Sequence, residues 1–196
     1  VFSKGETGGI QALAFLAAHP ATYRALATKL VRHFTADDPP QAAVARIEAV
    51  LRDTNGDLGA ASEALIHLDA AWFPATKLRT PWEHVIACFR ALDTPFVPPP
   101  NLIGVVAALN QPLWTAPAPD GWPDRADAWS SPEALMRRID WTNAFAGRIG
   151  TRDPMMIAEQ TLGPFLRQPT RDAMFGAGSR REALAMALMS PEFLRR

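Results

Sequence analysis

A histidine and two carboxylates lie close together around a turn near the start of the chain. His33 precedes Asp37 and Asp38 in the segment HFTADDPP. Imidazole and carboxylate groups act together as general acids and bases, and both also bind metal ions. These three residues are therefore the candidate catalytic set, for a hydrolase-type or metal-dependent reaction. A metal site needs further ligands that the sequence does not mark, so we predict no bound metal and no cofactor.

The same three residues also fit a purely structural role. Pro20 suits the first position of a helix, and apolar residues then recur at spacings of three and four up to Phe34. The pattern predicts a helix with His33 in its last turn, where the helix dipole favours a positive imidazole. Asp37 or Asp38 would then cap the next helix. Both roles stay open at the level of the sequence.

Three tryptophans, Trp114, Trp122 and Trp129, lie in a proline-rich stretch, residues 110–130. Tryptophan faces combined with the nearby carboxylates suit a carbohydrate site, through stacking and hydrogen bonds to hydroxyl groups. A loop of this length is otherwise stabilised by its own rings, which fold back onto the protein. The tryptophans are therefore either ligand-binding residues or anchors of the loop.

Residues 53–57, DTNGD, resemble the first half of a calcium-binding loop, with oxygen-bearing side chains at alternate positions. The position that should be glycine is Leu58, and the position that should be a bidentate glutamate is Ala64. We therefore predict no calcium there. Asn55 and Gly56 are interpreted as ending one helix, and Asp57 as capping the next.

The elements that must position these residues are marked by proline and capping residues, and many of the eighteen prolines fall at predicted helix starts. The predicted helices cover residues 7–18, 20–34, 40–51, 57–68, 81–92, 101–109, 130–148, 154–162, 170–175 and 179–189. An extended spacer is predicted at 95–100, and no stretch shows the alternation of a β-strand. The predicted fold class is all-α: an irregular multi-helical bundle of about eight to ten helices with a long loop rich in proline and tryptophan.

Two of these helices carry specific predictions about the core, because an apolar stripe normally faces inward. For the helix over 7–18, the stripe consists of Ile10, Leu13, Ala14 and Ala17. For the helix over 130–148, the predicted inward residues are Leu135, Ile139, Trp141 or Thr142, and Phe145.

The segment HPATYRALATKLVRHFTADDPP resembles the signature of a bacterial family of uncharacterised proteins, domain of unknown function 1800. Later segments agree with it in order: RDTNGDL, KLRTPWE, QPLW, GWP and SPEFL. The match runs from about residue 8 to residue 196, and the stretch 152–178 matches poorly. The resemblance implies that the chain is the C-terminal portion of a longer protein, exported or periplasmic, and it implies no established reaction.

Composition excludes several classes of protein. A length of 196 residues fits a single all-helical domain over 1–196. The formal net charge of zero argues against a nucleic-acid-binding surface. No apolar run approaches the ~20 residues needed to span a bilayer. No signal peptide is recognisable, and the single cysteine, Cys88, excludes an internal disulfide.

The absence of a complete catalytic set favours a non-catalytic role. The sequence has no glycine-rich phosphate loop, no nucleophile elbow and no paired-cysteine metal motif. We therefore interpret the chain as a helical interaction module of a larger exported bacterial protein, with a protein or a carbohydrate as its partner. The alternative is part of an active site that uses His33, Asp37 and Asp38 and acts on or binds polysaccharide.

Overall fold

Helices dominate the computed structural model, which describes residues 2–72, 76–93 and 101–196. The α-helices of these residues are, in chain order, α1 (Glu6–Ala17), α2 (Pro20–Phe34), α3 (Gln41–Asp53), α4 (Leu58–Ile66), α5 (Pro81–Ala91), α6 (Leu102–Ala108), α7 (Pro132–Ala146), α8 (Pro154–Leu162), α9 (Gln168–Phe175) and α10 (Arg180–Leu188). Over the described ranges there is no β-strand, only two isolated bridges. The all-α prediction is therefore confirmed, while the predicted spacer at 95–100 lies outside the described residues.

Local capping explains where many of these helices begin. The Nδ1 atom of His19 accepts a hydrogen bond from the Ala21 N–H at 3.1 Å, and Pro20 takes the first position of α2. At α5, Thr80 and Glu83 form a capping box. At α4, Asp57 caps the helix through the N–H groups of the first turn, as predicted. Short-range sequence signals therefore fix these boundaries.

The chain divides into two compact units, Val1–Lys77 and Leu78–Arg196. The prediction of one domain over 1–196 stays a prediction. The core of the first unit is built by α2, α3 and α4 from the buried residues Tyr23, Ala27, Val31, Ala43, Val44, Ile47, Leu51, Ala61, Leu65 and Leu68. Each fully buried aliphatic side chain contributes roughly 1.5–3 kcal/mol through removal from water.

The core of the second unit centres on α5, α7, α8 and α10. Its largest fully buried apolar side chains include Phe193, Leu184, Leu188 and Leu92. The rings of Phe89 and Phe145 meet edge to face at 4.9 Å. The long loop follows α6 and contains one short 3-10 helix, Ala126–Ala128.

One predicted core face is wrong, and a second is correct only in part. The stripe of α1 is not buried: Ile10 is 61% exposed and Leu13 is 69% exposed, and Gly8 is the only buried residue of the helix. On α7, Thr142 and Phe145 are buried as predicted, whereas Ile139 is exposed and Arg138 is buried. For α7 the cause is a hydrogen bond from Arg138 to the Arg79 carbonyl at 2.8 Å, which satisfies part of the guanidinium inside the unit.

Candidate functional site

The first unit has an exposed apolar surface on α1 and α2. We call it the α1–α2 groove; it has a volume of about 470 Å³, and its lining is Phe15, Leu16, His19, Ala21, Thr22, Ala25, Leu26 and Lys29. Phe15 and Leu16 expose more than half of their surface. A large contiguous apolar surface with a polar edge marks a site of interaction.

The polar groups of the α1–α2 groove are hydrogen-bond donors. Because His19 Nδ1 accepts from Ala21, the proton of the neutral ring is on Nε2. The Lys29 side chain is exposed, and no residue in the described part of the chain accepts a hydrogen bond from it. Thr22 donates to the Leu16 carbonyl at 2.7 Å, which ties the end of α1 to α2. The groove therefore combines apolar walls with a positive edge.

The predicted catalytic residues lie at the opposite end of α2. His33 is in the last turn of α2 and is exposed, with its ring 4.8 Å from the Phe34 ring in an edge-to-face contact. Asp38 is exposed and Asp37 is half-buried. The N-cap position of α3 is occupied by Pro40, so the predicted capping position for an aspartate is wrong.

Asp37 pairs instead with a buried lysine. Its Oδ1 atom lies 2.7 Å from Lys77 Nζ, and Lys77 is only 3% exposed. The Arg32 Nε–H donates to the Asp37 carbonyl at 3.2 Å, and Thr76 donates to the Thr35 carbonyl at 3.0 Å. The turn after α2 is therefore joined to the end of the first unit by charge and hydrogen bonds.

The three loop tryptophans do not share one environment. Trp129 is buried, its Nε1–H donates to the Pro123 carbonyl at 2.9 Å, and its ring lies 5.8 Å from the half-buried Trp122 ring. Trp114 is 99% exposed and has a φ of 64°, a conformation that bulky residues rarely adopt. Trp122 and Trp129 thus have the geometry of an anchor, whereas only Trp114 presents its full ring to solvent.

A buried polar cluster in the second unit was not found from the sequence. His84 and Thr142 are fully buried, and the His84 Nε2 atom lies 2.9 Å from Thr142 Oγ1. Cys88 Sγ lies 3.7 Å from the same nitrogen. Burial, with the charges of Arg138 and Arg79 adding to it, lowers the pKa of His84 to about 3. The imidazole is therefore neutral at physiological pH.

The Cys88 thiol is not activated as it is in a cysteine–histidine catalytic pair. Burial raises the pKa of the Cys88 thiol well above its usual value, so the thiolate nucleophile is not formed. The cluster therefore holds α5 and α7 together. Its one sequence signal was the spacing of four between His84 and Cys88 on a helix, which places both on one face.

Arg138 is a second buried residue that the sequence analysis missed. It is 1% exposed, and its Nε and Nη2 atoms have no acceptor among the described residues. Burial lowers the pKa of Arg138 to about 10, so the group stays charged at neutral pH. The available signal was its spacing of four from Thr142 and seven from Phe145, which places it on the buried face.

Among residues 2–72, 76–93 and 101–196, no three His, Cys, Asp or Glu side chains are grouped closely enough to hold a metal ion. None of the helices of these ranges has the length and apolar character needed to cross a bilayer.

Comparison with known proteins identifies the family. No curated protein and no solved structure shows significant similarity to the chain. A family model described as "Protein of unknown function (DUF1800)" matches residues 2–195, nearly the whole sequence. The match agrees with the resemblance carried by the helix and turn around His33. The chain therefore belongs to the DUF1800 family of proteins of unknown function.

Proposed function

We propose that the chain is a non-catalytic helical interaction module of a larger exported bacterial protein, and that its α1–α2 groove binds an amphipathic helix of a partner polypeptide. The observation that carries the proposal is the exposure of α1, whose large apolar side chains all face solvent. Helix-in-groove recognition uses apolar anchors on one face of the bound helix. The groove supplies the matching apolar surface through Phe15, Leu16 and Leu26.

The charge of the groove defines the partner helix further. Lys29 at the edge and the Nε2–H group of His19 are both donors. A carboxylate next to the apolar stripe of the partner would accept from them and would fix its register. The expected ligand is therefore a helix with apolar residues at i, i+3, i+4 and i+7 and an acidic residue beside them.

Selection from a display library of amphipathic helical peptides, with the 196-residue chain as target, tests this proposal. Enriched peptides should carry the apolar stripe and the acidic residue. Their affinity, measured by fluorescence anisotropy, should fall about tenfold or more in Leu16→Asp, because a charge replaces a central apolar contact. The control Ile66→Asp adds the same charge at an exposed residue of α4 and should leave affinity unchanged.

Charge reversal adds a second arm to the same experiment. The variant Lys29→Glu should weaken binding of the enriched peptides and should regain it when their acidic residue is replaced by lysine. The proposal fails if Leu16→Asp and Ile66→Asp bind alike, or if no peptide is enriched. It also fails if sedimentation shows a reversible dimer that Leu16→Asp abolishes, since the occupant would then be a second copy.

For His33, Asp37 and Asp38 we propose a structural role at the turn after α2. The ion pair of Asp37 with buried Lys77 supports it, because a carboxylate that balances a buried ammonium is not free to act as a base or metal ligand. The edge contact between His33 and Phe34 adds packing at the same turn. Hydrolase or metal chemistry at these residues has no comparable support.

A second candidate function, carbohydrate binding by the loop, is favoured by one observation. The Trp114 ring is fully exposed on a backbone with positive φ, and such strain persists where the surrounding structure imposes it, often at a ligand site. Affinity electrophoresis in gels that contain soluble polysaccharides tests it. Trp114→Ala should lose retardation, whereas Trp72→Ala, at another exposed tryptophan, should keep it. Equal mobility of the parent and Trp114→Ala would exclude this candidate.

A further inference from the structure

A pocket of about 630 Å³ lies on the second unit, between α5, α8 and the residues that follow α10. We call it the arginine pocket, because Arg79, Arg90 and Arg196 all line it. Its volume is in the range typical of sites for small organic ligands. It shares no residue with the α1–α2 groove, so an inference about it does not depend on the proposed function.

The charges of the arginine pocket do not balance internally. Arg196 Nε lies 2.9 Å from Glu83 Oε1, and the other Glu83 oxygen accepts from the Thr80 N–H at 2.8 Å. The Glu83 carboxylate is thus already engaged by the chain. Of the remaining charged lining residues, two arginines face one carboxylate, Asp93. The lining therefore has one more positive than negative side chain, and Arg196 lies 3.8 Å from a further carboxylate, Asp124, outside the lining.

Arg79 is held in place by contacts that leave part of its guanidinium accessible. Its backbone N–H donates to the Leu194 carbonyl and its Nε–H to the Phe193 carbonyl, both at 2.8 Å. Its Cζ atom lies 5.5 Å from the centre of the Phe193 ring, a cation–π contact. Within the described residues the two Nη atoms of Arg79 have no acceptor. Neither atom is fully buried, so both can donate to a ligand.

The surroundings of Arg79 disfavour its positive form. Burial lowers the pKa of Arg79, and the charges of Arg196 and Arg90 lower it further, against the opposing effect of Glu83. An additional negative charge would offset this repulsion. Arg90 lies in the last turn of α5, where its side chain is exposed and has no hydrogen-bond partner in the described ranges. Two guanidinium groups with free donors thus line one pocket.

We propose that the arginine pocket is a binding site for a small organic anion, held by its carboxylate or phosphate group. The planar fork of an arginine donates two parallel hydrogen bonds to such a group. Arg79 supplies an oriented fork, and the exposed Arg90 supplies a second one. Ile86 and Ala87 supply an apolar wall, which binds the uncharged part of the ligand.

Titration calorimetry with phenyl phosphate and with benzoate tests the site, with benzyl alcohol as the uncharged analogue. At least one anion should bind the parent, and benzyl alcohol should bind far more weakly. Tighter binding of phenyl phosphate identifies a phosphate site, and tighter binding of benzoate a carboxylate site. Arg90→Gln should weaken the preferred anion about tenfold or more, since hydrogen bonds to charged groups are the strong ones.

Matched variants distinguish binding in the arginine pocket from a general effect of the protein's positive charge. Arg181→Gln removes the same charge from an exposed position of α10 outside the pocket and should leave affinity unchanged. Arg79→Gln should also weaken binding. If Arg79→Gln does not fold, Arg90→Gln at the exposed position still tests the site. The proposal is overturned if neither anion binds at millimolar concentration, if benzyl alcohol binds equally well, or if Arg90→Gln and Arg181→Gln bind alike.

Discussion

The ion pair of Asp37 and Lys77 favours a structural role for the polar residues at the turn after α2. An ammonium that is 3% exposed must be balanced, and Asp37 Oδ1 lies 2.7 Å from it. We expect Asp37→Ala to lower the free energy of unfolding by roughly 1–3 kcal/mol, because it leaves a buried charge without this partner. Urea denaturation followed by circular dichroism measures the change.

The control for this prediction is Asp38→Ala, which removes the neighbouring exposed carboxylate and should have the smaller effect. The double variant Asp37→Ala/Lys77→Met should be less destabilised than the sum of its two single variants, because both charges are then removed together. Additive losses, or equal losses for Asp37→Ala and Asp38→Ala, would contradict a specific pair.

Helix boundaries were predictable because their signals are local. The bounds of α2 and α8 are the ones predicted, since Pro20 and Pro154 mark the first turns and the residues before them cap. At the end of α3, Asn55 has a φ of 54°, and the Gly56 N–H donates to the Leu51 carbonyl at 2.7 Å. This is the Schellman arrangement expected of an Asn-Gly stop.

Helix faces were less predictable, because they depend on distant partners. Apolarity alone predicted that Ile139 faces the core from α7. Arg138 is buried instead, because it donates to the carbonyl of Arg79, 59 residues away in the chain. On α1, all four residues of the predicted stripe are exposed. A periodic pattern shows which residues share a face and does not show what covers that face.

At the scale of the whole molecule, membership in DUF1800 and the all-α class were both accessible from the sequence. The candidate sites were not. The arginine pocket joins residues around Arg79 and Arg90 to Phe193, which are more than a hundred positions apart in the chain. Such a site has no characteristic spacing of residues along the sequence. A net charge of zero also does not reveal that arginines are concentrated at one place.

The buried imidazole of His84 makes stability of the second unit depend on pH. Its folded pKa of about 3 lies below the ordinary value of about 6.5, so only the unfolded state binds a proton between these values. Stability is therefore complete above pH ~6.5 and declines on acidification, with a slope of up to ~1.4 kcal/mol per pH unit. Carboxylates titrate lower, so the useful range is about pH 5 to 6.5.

Urea unfolding followed by tryptophan fluorescence measures this slope, since five of the six tryptophans belong to the second unit. His84→Gln should flatten the slope, because the side chain that gains the proton on unfolding is gone. It should also lower stability near neutral pH, where the hydrogen bond to Thr142 is lost. His67→Gln, at an exposed histidine of the first unit, is the control. A slope that survives in His84→Gln, or disappears in His67→Gln, would show that His84 is not its source.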